Sequence, residues 1–148
     1  MTFCTAINCM DGRVQAPVAE YLKKRFAADF VDMITEAGPN AILARRIESA
    51  LVESILRRTR ISVENHGSVG IAVVGHANCA GNRVGPAQQA ADTLDAARYI
   101  REIFPAIPVI ALWVNERRKV EELTSSLNKG SARPMRRRPS PSRIPRRD

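Results

Sequence analysis

The sequence predicts an α/β fold in which helices cover both faces of a four-stranded parallel sheet with strand order 2-1-3-4. Four short apolar runs alternate with stretches whose apolar residues recur at helical spacing, as in successive βαβ units. The run at residues 69–75 is apolar on both faces, which is typical of a buried parallel strand. Right-handed crossovers would connect these strands.

The first half of the chain is predicted to form two strands and two helices. Residues 2–8 form a mainly apolar strand that a Cys-Met-Asp-Gly turn ends, and residues 29–35 form the second strand. Between them, Pro17 suits the first turn of a helix. After the breaker Gly38-Pro39, one long helix is expected to end by His66-Gly67, where the glycine is a plausible C-terminal cap.

The second half repeats this alternation. Residues 69–75 form the third strand, and a helix begins at Pro86 with apolar residues spaced three and four apart. Residues 108–114 form the fourth strand, and a helix over 116–127 is expected to close the domain.

The basic charge is concentrated at the end of the chain. The 148 residues carry a net charge of +8, of which residues 129–148 contribute +7. This segment contains four prolines among Ser and Arg and lacks aromatic residues, which predicts a disordered basic tail after a near-neutral domain at 1–128. A solvated extension with no dedicated partner is the favoured interpretation of this tail. A nucleic acid is not expected as a partner of the domain, and the tail could bind one only through phosphate contacts, without base stacking.

Composition excludes several other classes of protein. The 45% apolar content argues against a wholly disordered chain, and no apolar run reaches the roughly 18 residues of a membrane span. The first residues lack the basic region of a secretory signal, so a cytoplasmic protein without a membrane partner is predicted. Three cysteines cannot all pair in disulfides, and in a reducing compartment Cys with His indicates metal binding or catalysis.

Candidate functional residues follow two of the predicted strands. Cys9, Asp11 and Arg13 come after the first strand, and His76 and Cys79 come after the third. These strands are neighbours in the order 2-1-3-4, and their carboxyl ends flank the topological switch point where open α/β sheets bind ligands. The two loops are therefore expected to converge on one site.

Two thiolates and one imidazole make a ligand set suited to Zn²⁺, with a fourth position left for water. A metal there would lower the pKa of that water. Asp11 would accept a hydrogen bond from the resulting hydroxide or bind the metal itself, and Arg13 would hold the Asp11 carboxylate ionised. Each residue alone also fits a structural role: Cys9 as a buried apolar residue, His76 as a loop cap, and Asp11 with Arg13 as a turn ion pair.

Two further residues of the same types receive no functional role. Cys4 lies within the first strand and is assigned to the core, and His66 is assigned to the end of a helix.

The segments Cys9-Met10-Asp11-Gly12-Arg13 and His76-Ala77-Asn78-Cys79 resemble the split metal motif of the β-class carbonic anhydrases. In that family Cys-x-Asp-Ser-Arg and His-x-x-Cys each follow a strand, and the resemblance covers roughly residues 3–115. It implies that Cys9, His76 and Cys79 bind zinc and that Asp11 and Arg13 form the catalytic dyad. It further implies attack of zinc-bound hydroxide on CO₂ to give bicarbonate, and a homodimer.

The sequence also departs from the family pattern. Gly12 stands where the family has Ser, and Ala80 stands where a Gly follows the second Cys. Because the chain begins almost at the first strand, the N-terminal helical arm and the glutamine bordering the pocket are expected to be missing; Gln15 is not in an equivalent position. The efficiency of CO₂ hydration is thus left open.

Three alternatives remain at this point. The first is a non-catalytic or regulatory zinc-binding relative, and the second is a hydrolase of a related small electrophile such as a sulfur analogue of CO₂. The third is metal-free chemistry with Cys9 as nucleophile. The thiol phosphatase loop places Arg six positions after its Cys, whereas Arg13 is four after Cys9, which argues against the third alternative.

Overall fold

The computed structural model describes residues 1–124, within which the chain forms five strands and four helices. The strands are β1 (Phe3–Cys9), β2 (Phe30–Glu36), β3 (Ile71–His76), β4 (Val109–Val114) and β5 (Val120–Leu123). The helices are α1 (Gly12–Phe26), α2 (Pro39–Arg45), α3 (Ser49–Asn65) and α4 (Pro86–Ile103).

The strands form one sheet in the order β2-β1-β3-β4-β5, which confirms the predicted α/β class. The first four strands are parallel and follow the predicted order 2-1-3-4. The sheet is nevertheless not four-stranded, because β5 pairs antiparallel with β4 and adds a fifth strand at that edge.

The core lies on both faces of the sheet because strand side chains alternate between them. On one face, α2, α3 and α4 cover residues such as Ile7 and Val73. On the other face, α1 covers residues such as Ala6, Val74 and Leu112. The central strand β3 is buried along its whole length, which explains its continuous apolar sequence.

The helix predicted over 116–127 is wrong within the described residues, where a tight turn leads into β5. The side chain of Asn115 forms this turn, since its Oδ1 accepts hydrogen bonds from the backbone N–H groups of Arg117 and Lys119 at 2.9 and 3.0 Å. Arg118 adopts a left-handed conformation with φ 62°. An asparagine that bonds to its own following backbone favours a turn over a helix, even when helix-forming residues follow it.

Two further helix predictions need correction. The long helix after Gly38-Pro39 is divided into α2 and α3, because Arg46 is left-handed with φ 56° and ends α2. The helix predicted to start near Pro17 begins five residues earlier at Gly12, with Asp11 as its N-cap. Pro17 therefore lies inside α1 and not in its first turn.

The basic segment 129–148 and the predicted domain boundary after residue 128 lie outside the described residues and stay predictions. Within residues 1–124, none of the helices combines the length and the apolar character needed to cross a bilayer.

Candidate metal centre

The topology brings the two candidate loops together at the carboxyl ends of β1 and β3. Cys9 is the last residue of β1, His76 is the last residue of β3, and Cys79 follows three residues later. All three are buried, with 3%, 2% and 4% of their surfaces exposed. One potential ligand atom from each residue lies within 4.8 Å of the other two. The arrangement can therefore hold a metal ion.

His76 presents one ring nitrogen to this cluster. Its Nδ1 lies 2.9 Å from the backbone oxygen of Ala77, and because a carbonyl only accepts, Nδ1 must carry the proton. Its Nε2 is buried and, among the side-chain nitrogen and oxygen atoms buried within residues 1–124, it alone lacks a hydrogen-bond partner. Buried polar atoms are nearly always satisfied, so an unpartnered nitrogen facing two sulfurs fits a metal ligand.

Cys9 and Cys79 form a hydrogen-bonded pair. Their Sγ atoms are 3.8 Å apart, and neither cysteine is in a disulfide. The bond between them lowers the pKa of Cys9, and the same bond together with burial raises the pKa of Cys79. Because a metal binds cysteine as the thiolate, binding at this pair would release thiol protons.

Backbone N–H groups near the two sulfurs favour their ionised forms. Those of Gly38 and Asp11 help to lower the pKa of Cys9. Those of Gly81 and Asn82 act in the same direction on Cys79, against the larger effects of the Cys9 bond and burial, which raise its pKa. The ionised form is the one in which cysteine binds a metal.

Two glycines allow the donor loops to pack against each other. Gly38 is left-handed with φ 64°, and a Cβ on it would lie 2.7 Å from the carbonyl carbon of Gly81. A Cβ on Gly81 would in turn overlap the backbone of Ala37. Gly81 makes this close approach beside Ala80, the position at which the sequence departs from the family pattern.

Asp11 and Arg13 form an ion pair next to the metal cluster. The Arg13 Nε is 2.9 Å from Asp11 Oδ1, and Nη2 is 2.5 Å from Oδ2. These hydrogen bonds, with one from the Arg13 backbone N–H, hold the pKa of the Asp11 carboxyl well below its usual range. Arg13 Nη2 also donates to the backbone oxygen of Asn78 at 3.3 Å, which links the pair to the second ligand loop.

Among the described residues, the metal cluster consists of Cys9, His76 and Cys79 and does not include Asp11. With both carboxylate oxygens engaged by Arg13, Asp11 is a neighbour of the cluster in this conformation.

The other candidates have structural surroundings. Cys4 is fully buried in the core beneath α1. His66 follows α3, where its Nδ1 is 2.7 Å from Asp32 Oδ2 and its ring contacts Phe3. Gln15 donates its side-chain Nε2 to the backbone oxygen of Cys9.

Sequence reasoning missed the buried amide side chains around the second ligand loop. Asn82 follows Cys79 by three residues, and Gln89 and Thr93 lie on the buried face of α4. The apolar stripe assigned to this helix included Ala90 and Leu94, which are only half-buried. The sequence did carry a signal for this. Gln89 and Thr93 lie on the same face of the helix as the buried Ala96 and Ile100, at spacings of three and four residues.

A cavity of about 460 Å³ opens beside Cys79. Its lining includes Asn78, Arg83, Trp113 and Glu116. The side chain of Asn78 donates to Glu116 Oε1 at 3.4 Å, so the ligand loop is tied to the residues that follow β4. The metal cluster therefore has an accessible space on one side.

Comparison with known proteins adds one match. A model of the protein family described as "Putative carbonic anhydrase" matches residues 1–124, which is most of the chain. No curated protein matches the sequence.

Proposed function

The chain belongs to the family described as "Putative carbonic anhydrase", whose model matches residues 1–124, and from that membership we propose that it is a zinc-dependent lyase that hydrates CO₂ to bicarbonate. Cys9, His76 and Cys79 would hold the zinc. The observation that carries the proposal is the buried group of Cys9, His76 and Cys79, whose potential ligand atoms lie within 4.8 Å of one another and in which His76 Nε2 has no hydrogen-bond partner.

The donor set favours zinc among the biological metals. Two thiolates and one imidazole suit Zn²⁺, and three protein ligands are typical of a catalytic site that keeps a position open. When bound, the zinc ion supplies Lewis acidity that brings the pKa of a coordinated water close to neutrality. The lowered pKa of Cys9 favours the ionised sulfur that such a metal requires, and nearby backbone N–H groups act in that direction on Cys79 as well.

Asp11 is proposed to orient the attacking water. Because Arg13 keeps its carboxyl ionised, Asp11 accepts hydrogen bonds and does not donate them. A carboxylate beside the ligands would accept one hydrogen bond from the water and thereby direct an oxygen lone pair toward CO₂. Arg13 holds both oxygens of Asp11, which keeps the carboxylate from competing for the metal.

The reaction balances without any additional reactant. A bond forms between the water oxygen and the carbon of CO₂, one carbon–oxygen π bond becomes a lone pair, and the product is bicarbonate. The proton lost by the water passes to solvent. The reaction changes no oxidation state, so none of the steps assigned to the described residues 1–124 requires a redox group.

A second candidate is hydrolysis of a related small electrophile such as a sulfur analogue of CO₂. The observation that favours it is the cavity of about 460 Å³ beside Cys79, which is far larger than CO₂ requires. The metal ligands and the roles of Asp11 and Arg13 would be the same for both substrates. Comparing the two substrates on the same zinc-loaded protein separates these activities.

Stopped-flow measurement of CO₂ hydration by the full chain, loaded with one equivalent of zinc under reducing conditions, tests the proposal. The reductant matters because two thiols 3.8 Å apart are readily oxidised without metal. Hydration above the buffer rate, proportional to zinc content, is the expected result. One bound zinc with no hydration would overturn the proposed activity and support the non-catalytic relative. The homodimer implied by the resemblance and the cytoplasmic location predicted from the sequence stay predictions.

A further inference from the structure

A cluster of buried amide side chains lies between α2, α4 and the loop that carries Cys79. Asn40, Asn82 and Gln89 are each at most 2% exposed, and the proposed reaction uses none of them. Polar groups buried in this way must satisfy one another, and a satisfied network fixes the segments that contribute to it. Because the cluster lies beside the loop that carries Cys79, it can hold a proposed metal ligand in position.

Gln89 is at the centre of the cluster. Its Oε1 accepts hydrogen bonds from the Nδ2 atoms of Asn40 and Asn82, at 2.8 and 3.4 Å. Its Nε2 donates to the backbone oxygen of Asn82 at 2.5 Å. One side chain on the rigid helix α4 thus holds two segments that are far apart in sequence.

Both segments lie next to the proposed ligands. Asn40 follows Gly38 by two residues, and the backbone of Gly38 packs against that of Gly81, two residues after Cys79. Asn82 follows Cys79 by three residues. Gln89 therefore connects the Cys79 loop to the segment that packs against it.

The side chain of Asn82 makes further hydrogen bonds. Its Oδ1 accepts from Arg45 Nη2 at 3.1 Å, and its Nδ2 donates to Asp92 Oδ2 at 2.9 Å. With its backbone oxygen bound by Gln89, the residue has little rotational freedom. The loop after Cys79 is consequently held in place by side chains outside the proposed metal site.

The same cluster packs against the strand that carries the third ligand. A Cβ on Gly75 would overlap the Thr93 hydroxyl and lie 3.0 Å from Asn40 Nδ2, so only glycine fits before His76. Asn40 Nδ2 also donates to Thr93 Oγ1 at 3.1 Å. The amide cluster thus packs against Gly75, which precedes His76, and includes Asn82, which follows Cys79 by three residues.

We propose that Gln89 is a positioning residue for the metal centre, because it hydrogen-bonds Asn82, three residues after Cys79, and Asn40, which lies against Gly75 before His76. The inference rests on the proposed metal site. Gln89 makes its hydrogen bonds to Asn40 and Asn82 and not to the three proposed ligands, and it also lines the cavity beside Cys79.

The experiment compares Gln89→Met with Thr5→Val in the full chain. Gln89→Met keeps the length of the side chain and removes all three hydrogen bonds. Thr5→Val is the matched control because Thr5 is fully buried near the start of β1 and loses two hydrogen bonds, to Ser62 and Ser68, neither of which belongs to the amide cluster. Gln89→Glu is the conservative variant, since it retains the acceptor for Asn40 and Asn82.

Zinc affinity by chelator competition and the thiolate-to-metal charge-transfer band of the cobalt-loaded proteins are the first readouts. Gln89→Met is expected to weaken zinc binding by about 10- to 100-fold and to change the cobalt band, as loss of outer-shell partners does. Thr5→Val should leave both unchanged, and Gln89→Glu should lose less affinity than Gln89→Met. Equal zinc affinity in Gln89→Met and wild type would overturn the inference, as would equal losses in Gln89→Met and Thr5→Val.

Hydrogen exchange of the Gly38 and Asn82 amides in the reduced, metal-free proteins is the second readout. Faster exchange at both amides in Gln89→Met, but not in Thr5→Val, supports the positioning role, whereas unchanged exchange overturns it. If Gln89→Met does not fold, the same comparison uses Gln89→Glu. Failure of the wild-type protein to bind zinc would overturn the proposed function alone, because the amide exchange still decides whether Gln89 fixes the loops.

Discussion

Arg13 binds both carboxylate oxygens of Asp11 side-on, with Nε 2.9 Å from Oδ1 and Nη2 2.5 Å from Oδ2. The pairing is local, because Asp11 is the N-cap of α1 and Arg13 is in its first turn. A third contact, from Arg13 Nη2 to the backbone oxygen of Asn78, extends it to the loop between His76 and Cys79. The carboxylate is therefore held at a fixed place beside the metal ligands.

Replacement of Asp11 should separate catalysis from metal binding. In Asp11→Asn the side chain keeps its size and one acceptor oxygen but loses the charge that Arg13 pairs with. CO₂ hydration should fall by about 10²- to 10⁴-fold, the usual effect of removing a group that orients or accepts a reacting proton. Zinc content should remain at one per chain. Stopped-flow hydration together with metal analysis of the same sample measures both quantities.

Asp95→Asn is the control for Asp11→Asn. Asp95 also pairs with arginines, Arg46 and Arg98, but lies on α4 away from the cluster. Its replacement should leave hydration unchanged. Equal hydration by Asp11→Asn and the wild-type protein would remove Asp11 from the mechanism and favour a zinc site without catalysis.

The pKa of Asp11 should depend on Arg13. In Arg13→Gln it should rise toward its ordinary value near 3.8, because the guanidinium that favours the ionised form is gone. The folded pKa is below the unfolded one, so the pair stabilises the fold above the unfolded pKa and loses that effect as pH falls through the folded value. Carbon NMR titration of the Asp11 carboxyl in both proteins measures the change. Identical titration curves would contradict the assigned cause.

Thiol reactivity should distinguish the three cysteines. In reduced, metal-free protein at neutral pH, Cys9 is the ionised sulfur, since the hydrogen bond from Cys79 lowers its pKa. Burial raises the pKa of Cys4 to about 11, so Cys4 should resist alkylation with or without zinc. Zinc should protect Cys9 and Cys79 from iodoacetamide, as read by peptide mass spectrometry. Alkylation of Cys9 at the same rate in zinc-loaded protein would favour the nucleophile alternative.

Two glycines should respond in opposite directions to substitution by alanine. Gly38→Ala should destabilise the fold by roughly 2 kcal/mol or more, because a left-handed alanine costs about 1–2 kcal/mol and its Cβ meets Gly81 at 2.7 Å. In Gly12→Ala the new Cβ has no atom within 4 Å and lies in the first turn of α1. This change should be neutral or stabilise by up to about 1 kcal/mol. Urea unfolding of both variants provides the comparison, and equal midpoints would contradict it.

The positions of the strand ends were predictable because they depend on apolar runs that are read directly from short stretches of sequence. Runs such as residues 69–75 are apolar on both faces only if helices cover the sheet on both sides, and the parallel order then brings Cys9 next to His76 and Cys79. The ligand cluster follows from those two statements, without knowledge of any side-chain contact.

The features that sequence reasoning missed depend on single polar side chains and their tertiary partners. Neither Gly nor Pro marks the break at Arg46, whose left-handed conformation accompanies contacts of its guanidinium with the Leu43 carbonyl and the Tyr99 ring. The turn into β5 depends on one side-chain oxygen of Asn115. The role of Gln89 becomes visible only when Asn40 and Asn82 are placed beside it.

Joint measurement of zinc content and CO₂ hydration in wild type, Cys79→Ser and Cys4→Ser tests the central claim most directly. Serine removes one proposed sulfur ligand in the first variant, whereas in the second it replaces a cysteine that lies in the core. The account predicts one zinc per chain and measurable hydration in wild type and Cys4→Ser, and loss of both in Cys79→Ser. Full zinc content and unchanged hydration in Cys79→Ser would contradict it.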